Sequence, residues 1–134
     1  MNTAWAAEWL HRFSATDPTA LMEMYADDVS FEDFALDQRV DGKLPARDFF
    51  AAFINPAERN NTFTLVDYSG DDRGGAVEWI WKAEHQAEFM GLPARGKDTV
   101  VRGVSVVTFR DGKVATQHDY WDARAVTLQL AKVP

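Results

Sequence analysis

In the stretch MYADDVSFEDF, residues 24–34, the spacing of the apolar residues changes from a helical to a strand period. From residue 29 onward apolar residues alternate, which is typical of a strand with one buried side. Phe31 and Asp33 fall on the same side of that strand, so Asp33 is predicted to point inward. A buried, unpaired carboxylate is costly and usually has a reason. The structural alternative is an ion pair of Asp33 with Arg39 or Lys43.

Two short amphipathic helices are predicted before this strand. Apolar residues at helical spacing mark the first helix over residues 3–13. Pro18 suits the first turn of a second helix that continues to Tyr25. Asp27 and Asp28 would then form the corner between helix and strand.

After the strand, the pattern predicts one more helix and then strands alone. The loop DQRVDGK has room for a short strand, and Pro45 opens a third helix that ends at Asn55. Consecutive hairpins then predict an antiparallel meander, and the whole chain, 1–134, is predicted to be a single α+β domain in which three N-terminal helices cover one face of a curved antiparallel sheet. The meander strands are predicted at residues 62–68, 76–89, 98–110 and 113–122.

The composition narrows the possible partners. A net charge of -7 without any basic run argues against nucleic acid and anionic membranes as partners. The chain has no cysteine, which excludes disulfides and thiolate chemistry, and its three histidines lack ligand spacing, so neither a metal nor another cofactor is predicted. The segment MNTAWAAEWLHRF does not resemble a signal peptide, and no apolar stretch approaches membrane-spanning length. We therefore expect a cytoplasmic protein.

The strand at residues 76–89 predicts a cavity under the helices. Its inward side is apolar and includes Trp79 and Trp81, and His85 is the single ionisable residue on that side. A long, bent sheet wrapped around short helices leaves room for a small apolar organic ligand. His85 is predicted to point into this cavity, and a satisfied core histidine is the alternative.

The last strand, DGKVATQHDYWD, supplies a second inward carboxylate. Asp119 shares its side with Trp121, whereas Asp122 has the opposite parity and is expected to be structural. If Asp33 and Asp119 share one cavity, their pKa values should move apart, which favours one ionised base and one neutral acid. That division suits the movement of protons on carbon.

The order of elements, together with MYADDVSFEDF and DGKVATQHDYWD, resembles the SnoaL-like, ketosteroid isomerase-like branch of the nuclear transport factor two superfamily. The resemblance implies a cone-shaped α+β barrel with an internal pocket. Ketosteroid isomerases, polyketide cyclases and limonene epoxide hydrolases share this fold and pocket but not a reaction. The resemblance also implies a homodimer that forms through the exposed face of the sheet.

The resemblance assigns roles to individual positions. In ketosteroid isomerases the place of Asp33 holds the catalytic base, and in SnoaL-like cyclases the place of Asp119 holds an acid/base residue. Trp9 and Ser105 stand where the isomerases have their oxyanion donors, so that oxyanion hole is not reproduced. The last strand also resembles limonene epoxide hydrolases, but the arginine of those enzymes has no counterpart between residues 75 and 93.

Three functional hypotheses follow. The first is a cofactor-free isomerase or cyclase that uses Asp33, Asp119 and His85 on a small, largely apolar, carbonyl-bearing substrate such as a polyketide, terpenoid or steroid-like molecule. The second is a non-catalytic module for ligand binding or dimerisation. The third is an epoxide hydrolase, which would need an arginine from elsewhere in the chain, such as Arg102, to reach Asp119. The predicted pocket residues are Trp9, Tyr25, Phe31, Phe53, Trp81, Ser105 and Trp121, and Tyr25 is expected to support the site through its hydroxyl.

Overall fold

The computed structural model describes residues 1–15, 17–54 and 59–132. The predicted end of the third helix at Asn55 lies outside these residues. In chain order the elements are α1 (Thr3–Phe13), α2 (Thr19–Met22), β1 (Tyr25–Asp33), β2 (Gln38–Asp41), α3 (Lys43–Ile54), β3 (Arg59–Gly70), β4 (Gly74–His85), β5 (Asp98–Arg110), β6 (Lys113–Trp121) and α4 (Ala123–Leu130).

The six strands form one curved sheet in the order β2-β1-β6-β5-β4-β3. Strands β3 to β6 are the predicted antiparallel meander. Strand β1 joins the meander by pairing in parallel with β6, and the sheet stays open, with β2 and β3 as its edges. The α+β class with helices packed on a curved sheet is confirmed, and the parallel pair is an addition that places the end of β1 beside the end of β6.

The transition from helix to strand occurs earlier than predicted. Helix α2 is only four residues long, and Tyr25 already belongs to β1. The register between β1 and β6 shifts after Tyr25, so Asp27 and Asp28 are exposed in succession within the strand and do not form a corner outside it. Lys43 and Arg110 pair with these two carboxylates at the surface.

Strand β4 is shorter than predicted and ends at His85. The chain then turns through Met90 and Gly91, which both have positive φ angles, of 52° and 76°. A separate two-residue bridge joins Phe89 to Leu92. The turn ends the ladder because the chain must reverse before it enters β5.

The helices and the inner face of the sheet enclose one apolar core. Helix α1 packs against β3, and α3 packs against β1. The buried face of α1 is the predicted one and consists of Ala6, Trp9, Leu10 and Phe13.

None of the helices in the described ranges is long and apolar enough to cross a membrane.

Helix α4, which the sequence pattern did not predict, closes the end of the sheet beyond β6. Asp122 begins it as the N-cap, since its side chain accepts a hydrogen bond from the backbone N–H of Ala125 at 3.1 Å. This position confirms the structural role expected for Asp122. The side-chain amide of Gln129 bonds both the N–H and the C=O of Val100 in β5, each at 2.8 Å.

Candidate active site

The two predicted carboxylates lie side by side where β1 and β6 end. Asp33 is the direct register partner of Asp119 in the parallel pair, and neighbouring strands lie about 4.8 Å apart. Val29, Phe31 and Asp33 are 0%, 1% and 3% exposed, so the inward side of β1 is the one that the alternation predicted. Both carboxylates line the same cavity.

The cavity lies between the sheet and helices α1 and α3. Its volume is about 30 Å³, which is room for one or two water molecules. Its wall is mostly aromatic, and the half-buried rings of Phe49 and Phe53 stack with centroids 6.0 Å apart on α3. The predicted pocket residues that line it are Trp9, Phe31, Phe53, Trp81, Ser105 and Trp121.

Asp33 is held by hydrogen-bond donors on both carboxylate oxygens. The indole N–H of Trp121 bonds Oδ1 at 3.2 Å and Oδ2 at 3.0 Å, and the backbone N–H of Leu36 bonds Oδ1 at 3.0 Å. Burial raises the pKa of Asp33, and these donors oppose the rise because they favour the anion. The alternative ion pairs do not form, since Arg39 and Lys43 pair with other carboxylates.

Asp119 carries the larger electrostatic perturbation. Burial raises its pKa to about 7, and hydrogen bonds from Ser105 and Gln117 oppose that rise, whereas the charge of Asp33 adds to it. Asp119 keeps some accessible surface because it borders the cavity, but protein packed around its carboxyl removes most of the water that would solvate the anion. A carboxyl of this kind exchanges its proton near neutral pH.

Tyr25 lies behind the cavity wall, which corrects its prediction as a lining residue. It is 1% exposed, accepts a hydrogen bond from the indole N–H of Trp9 at 3.2 Å, and donates one to Oε1 of Gln117 at 2.5 Å. Burial raises the pKa of the Tyr25 hydroxyl well above its ordinary value, so the hydroxyl keeps its proton. Tyr25 therefore contacts Gln117, through its hydroxyl, rather than the cavity.

The structure does not bring His85 to the two carboxylates. It is buried at the end of β4, with Nε2 2.8 Å from the hydroxyl of Thr99 and its ring 4.9 Å from that of Phe89. Burial and the charge of Arg59 lower the pKa of His85. Trp81 lines the cavity, but His85 is four residues, or about 13 Å, further along the strand. This placement corrects the expectation that His85 shares the cavity.

Gln117 is a polar contributor that the sequence reasoning missed, and Trp79, which was predicted on the inward side, adds a hydrogen-bond donor that was not predicted. Gln117 is 0% exposed and lies on the same side of β6 as Asp119, two residues earlier. The signal that could have identified it from the sequence is a polar amide at an inward position of this strand. Trp79 donates its indole N–H to Oγ of Ser105 at 3.0 Å. Its ring crosses Gly103, where an added Cβ would lie 2.2 Å from a ring carbon, so glycine is required there.

The cavity holds acidic groups and aromatic rings but no cationic side chain among its lining residues. The donors that stand at the isomerase oxyanion positions are already engaged, because Trp9 bonds Tyr25 and Ser105 bonds Asp119. Across the described ranges, no group of three or more histidine, aspartate and glutamate side chains could hold a metal ion. The arrangement can therefore offer a substrate one carboxylate and one carboxylic acid.

The comparisons with known proteins agree with this fold. A protein with a ketosteroid isomerase-like fold from Catenulispora acidiphila, solved in complex with trimethylamine, has a TM-score of 0.81 and 17% identity over 100% of both chains. A candidate polyketide cyclase from Xanthomonas campestris has a TM-score of 0.83 and 17% identity over 96% of both chains. A second candidate cyclase, from Pseudomonas putida, has a TM-score of 0.80 and 22% identity over 98% of this chain and 99% of its own.

The TM-scores show a shared fold, whereas identities of 17–22% leave the reaction to be argued from the site. A search of curated proteins finds no significant match. The model of the SnoaL-like domain family matches residues 6–117, which is most of the chain. The chain belongs to the SnoaL-like family.

Proposed function

We propose that this protein is a cofactor-free acid–base enzyme, an isomerase or cyclase, that acts on a small, largely apolar, carbonyl-bearing molecule. The observation that carries the proposal is the pairing of Asp33 with Asp119 in one aromatic cavity whose lining includes no cation. Two carboxyl groups that interact in a desolvated site divide into one base and one acid. Similarity to candidate polyketide cyclases supports the same class of reaction.

In the proposed reaction Asp33 is the base and Asp119 is the acid. Asp33 has donors on both oxygens, which favour its anion, and its raised pKa makes it a stronger base than an ordinary aspartate. It removes a proton from the carbon next to the carbonyl, and the electrons of that C–H bond become the enol double bond. Asp119 gives its proton to the carbonyl oxygen. In an isomerisation Asp33 then returns its proton to a different carbon of a conjugated enol, while the enol O–H returns its proton to Asp119. In a cyclisation the enol carbon attacks a second carbonyl, the enol O–H again returns its proton to Asp119, and the new alkoxide takes the proton that Asp33 holds.

The size of the cavity limits what enters without movement. About 30 Å³ is too small for a steroid-like molecule, so a larger substrate requires the half-buried rings of Phe49 and Phe53 to turn aside. The aromatic wall recognises flat, apolar surface, and the two carboxyl groups disfavour an anionic substrate. A neutral ketone or ketoester fits these requirements.

The test is proton exchange, which does not require the natural substrate. The protein is incubated in D₂O with a panel of small neutral ketones and β-ketoesters, and deuterium incorporation next to the carbonyl is followed by NMR. We expect exchange with at least one member and a loss of 10²-fold or more in Asp33→Asn and Asp119→Asn, which is about the contribution of a positioned acid or base. Glu32→Gln is the matched control, since Glu32 neighbours Asp33 on the opposite side of β1. Full exchange in both aspartate variants would exclude the proposal.

A second candidate function is the binding of a small alkylammonium ion. Aromatic faces around two carboxylates, without a competing cation, form a cage of the kind that holds such ions. The Catenulispora acidiphila neighbour was solved with trimethylamine. Calorimetry with trimethylammonium separates the two functions, because cation binding strengthens as Asp119 loses its proton above pH 7, whereas the proposed enzyme needs that proton.

The epoxide-hydrolase hypothesis requires an arginine beside Asp119, and Arg102 does not lie there. Arg102 is exposed on the outer side of β5 and lines an open groove there, together with Glu78 and Tyr120. It therefore cannot reach Asp119 through the sheet.

A further inference from the structure

The hydrogen bonds to Asp119 are one-sided. Oγ of Ser105 donates to Oδ1 at 2.6 Å, and Nε2 of Gln117 donates to the same oxygen at 3.0 Å. In the part of the chain that the structure describes, no hydrogen bond reaches Oδ2. Every deeply buried side-chain oxygen there has a partner, so Oδ2 must keep accessible surface. Asp119 lines the cavity, and Oδ2 is thus its available oxygen.

The direction of both hydrogen bonds is fixed by tryptophan, because an indole N–H can only donate. Trp9 donates to the Tyr25 oxygen, so the Tyr25 hydroxyl hydrogen is left for Oε1 of Gln117. The amide oxygen of Gln117 is then occupied, and its NH₂ group must face Asp119. This chain of contacts, Trp9–Tyr25–Gln117, is the first relay.

The second relay follows the same logic from the other side. Trp79 donates to Oγ of Ser105, which leaves the Ser105 hydroxyl hydrogen for Asp119. Both relays therefore present a donor to Oδ1, and neither can reverse without leaving the hydroxyl hydrogen of Tyr25 or Ser105 without an acceptor in the core. A protonated Oδ1 would meet two donors, so the proton has to be on Oδ2.

We propose that Gln117 and Ser105 are positioning residues that keep Oδ1 of Asp119 as a hydrogen-bond acceptor, so that Oδ2 carries the proton and presents it to the cavity. The inference rests on the proposed function only for the group that receives the proton, which is the substrate carbonyl. In that step the Oδ2–H bond breaks and the enol O–H bond forms, while Asp33 takes the proton from carbon. When the product forms, the enol O–H returns its proton to Oδ2 and Asp33 gives the proton it took to another atom of the product, which restores one carboxylic acid and one carboxylate.

The orientation is tested in the free protein, without substrate. The side-chain carboxyl of Asp119 is titrated by ¹³C NMR, and the Nε2–H signals of Gln117 are followed in the same samples. We expect the Gln117 signals to move with the Asp119 titration, because a donor senses the charge on its acceptor. The titratable groups that face Asp119 are Asp33 and the hydroxyl of Tyr25, and the latter keeps its proton in this range.

Variants then separate positioning from general structure. Ser105→Ala and Gln117→Met should each raise the pKa of Asp119 by about one, since each removes a hydrogen bond to the anion. Tyr25→Phe should abolish the coupled movement of the Gln117 signals, because the amide loses the partner that orients it. Thr99→Val is the matched control: it removes another buried hydroxyl from the inward side of β5, outside the cavity, and should leave the titration unchanged.

Two results would overturn the inference. One is an Asp119 titration that is the same in Ser105→Ala, Gln117→Met and the native protein. The other is that the Gln117 amide signals of the native protein do not shift as Asp119 titrates. This measurement does not depend on any variant folding. Neither depends on turnover, so a negative deuterium-exchange experiment would count against the proposed enzyme and leave this orientation standing.

Discussion

An asparagine side chain would find different hydrogen-bond partners at position 33 and at position 119. Both oxygens of Asp33 receive donors, so the NH₂ group of Asp33→Asn must face Trp121 or Leu36, which also donate. In Asp119→Asn the oxygen keeps both donors at Oδ1, and the NH₂ group takes the open place of Oδ2. The amide at position 119 therefore imitates the protonated acid.

This asymmetry predicts different stabilities for two substitutions of the same chemistry. We expect Asp33→Asn to lower the free energy of unfolding by about 1–3 kcal/mol, the usual cost of an unsatisfied buried donor. Asp119→Asn should be at least as stable as the native protein at pH 7, because it removes a desolvated charge. Urea unfolding at pH 7 measures both, and equal losses in the two variants would contradict the prediction.

For the strands, the sequence predicts the face of the sheet on which a residue lies but not its position along the strand relative to the cavity. Alternation places Asp33 and Asp119 inward whatever strand lies beside them, because successive side chains of a strand point to opposite faces. The pairing of β1 with β6 joins distant segments, and nothing local encodes it. His85 has the predicted side of β4 but lies beyond the cavity, since parity contains no information on position along the strand.

Helix α4 could not be predicted from local sequence pattern either, because it is held in place by a contact with the distant strand β5. The C-terminal end of β6 pairs Trp121 with Gly103, which leaves the side of β5 around Val100 without a neighbouring strand from β6. The amide of Gln129 bonds both backbone groups of Val100, and Nζ of Lys97 bonds the C=O of Leu130 near the end of the helix. A side chain thus substitutes for a strand.

Removal of this amide should loosen one element without unfolding the sheet. We expect Gln129→Ala to cost about 1–3 kcal/mol, because two backbone hydrogen bonds are lost. Hydrogen exchange should accelerate at Val100 and through α4, and remain slow in the centre of β5. Leu128→Ala is the control, since Leu128 is 49% exposed on the same helix. If protection at Val100 is unchanged in Gln129→Ala, the strand-completing role is wrong.

The sheet separates two environments in the folded protein. Its inner face holds the aromatic core and the two carboxyl groups, and its outer face presents half-exposed apolar side chains such as Val66, Val106 and Tyr120. Phe34 stacks on Tyr120 on that outer side, with ring centroids 4.7 Å apart. The homodimer expected from the family resemblance would use this face and stays a prediction. The inner carboxyl groups, in contrast, affect the stability of the whole fold.

The raised pKa of Asp119 predicts how that stability depends on pH. The folded protein holds the Asp119 proton up to a pKa of about 7, whereas an unfolded chain releases it near 3.9. Between these values the folded state binds more protons, so the free energy of unfolding falls as pH rises from about 4 to 7. This single group accounts for about 4 kcal/mol across the window, and the raised pKa of Asp33 acts in the same direction.

We therefore expect the urea midpoint to be lower at pH 8 than at pH 5. The net charge of -7 also destabilises the fold as pH rises, through repulsion between surface carboxylates, so a control must separate the two causes. Asp119→Asn should remove most of the slope because its side chain cannot ionise. Glu78→Gln, which deletes one exposed charge of the outer face, should leave the slope nearly as it is. Equal slopes in the native protein and Asp119→Asn would show that the buried carboxyl ionises no differently from an exposed one.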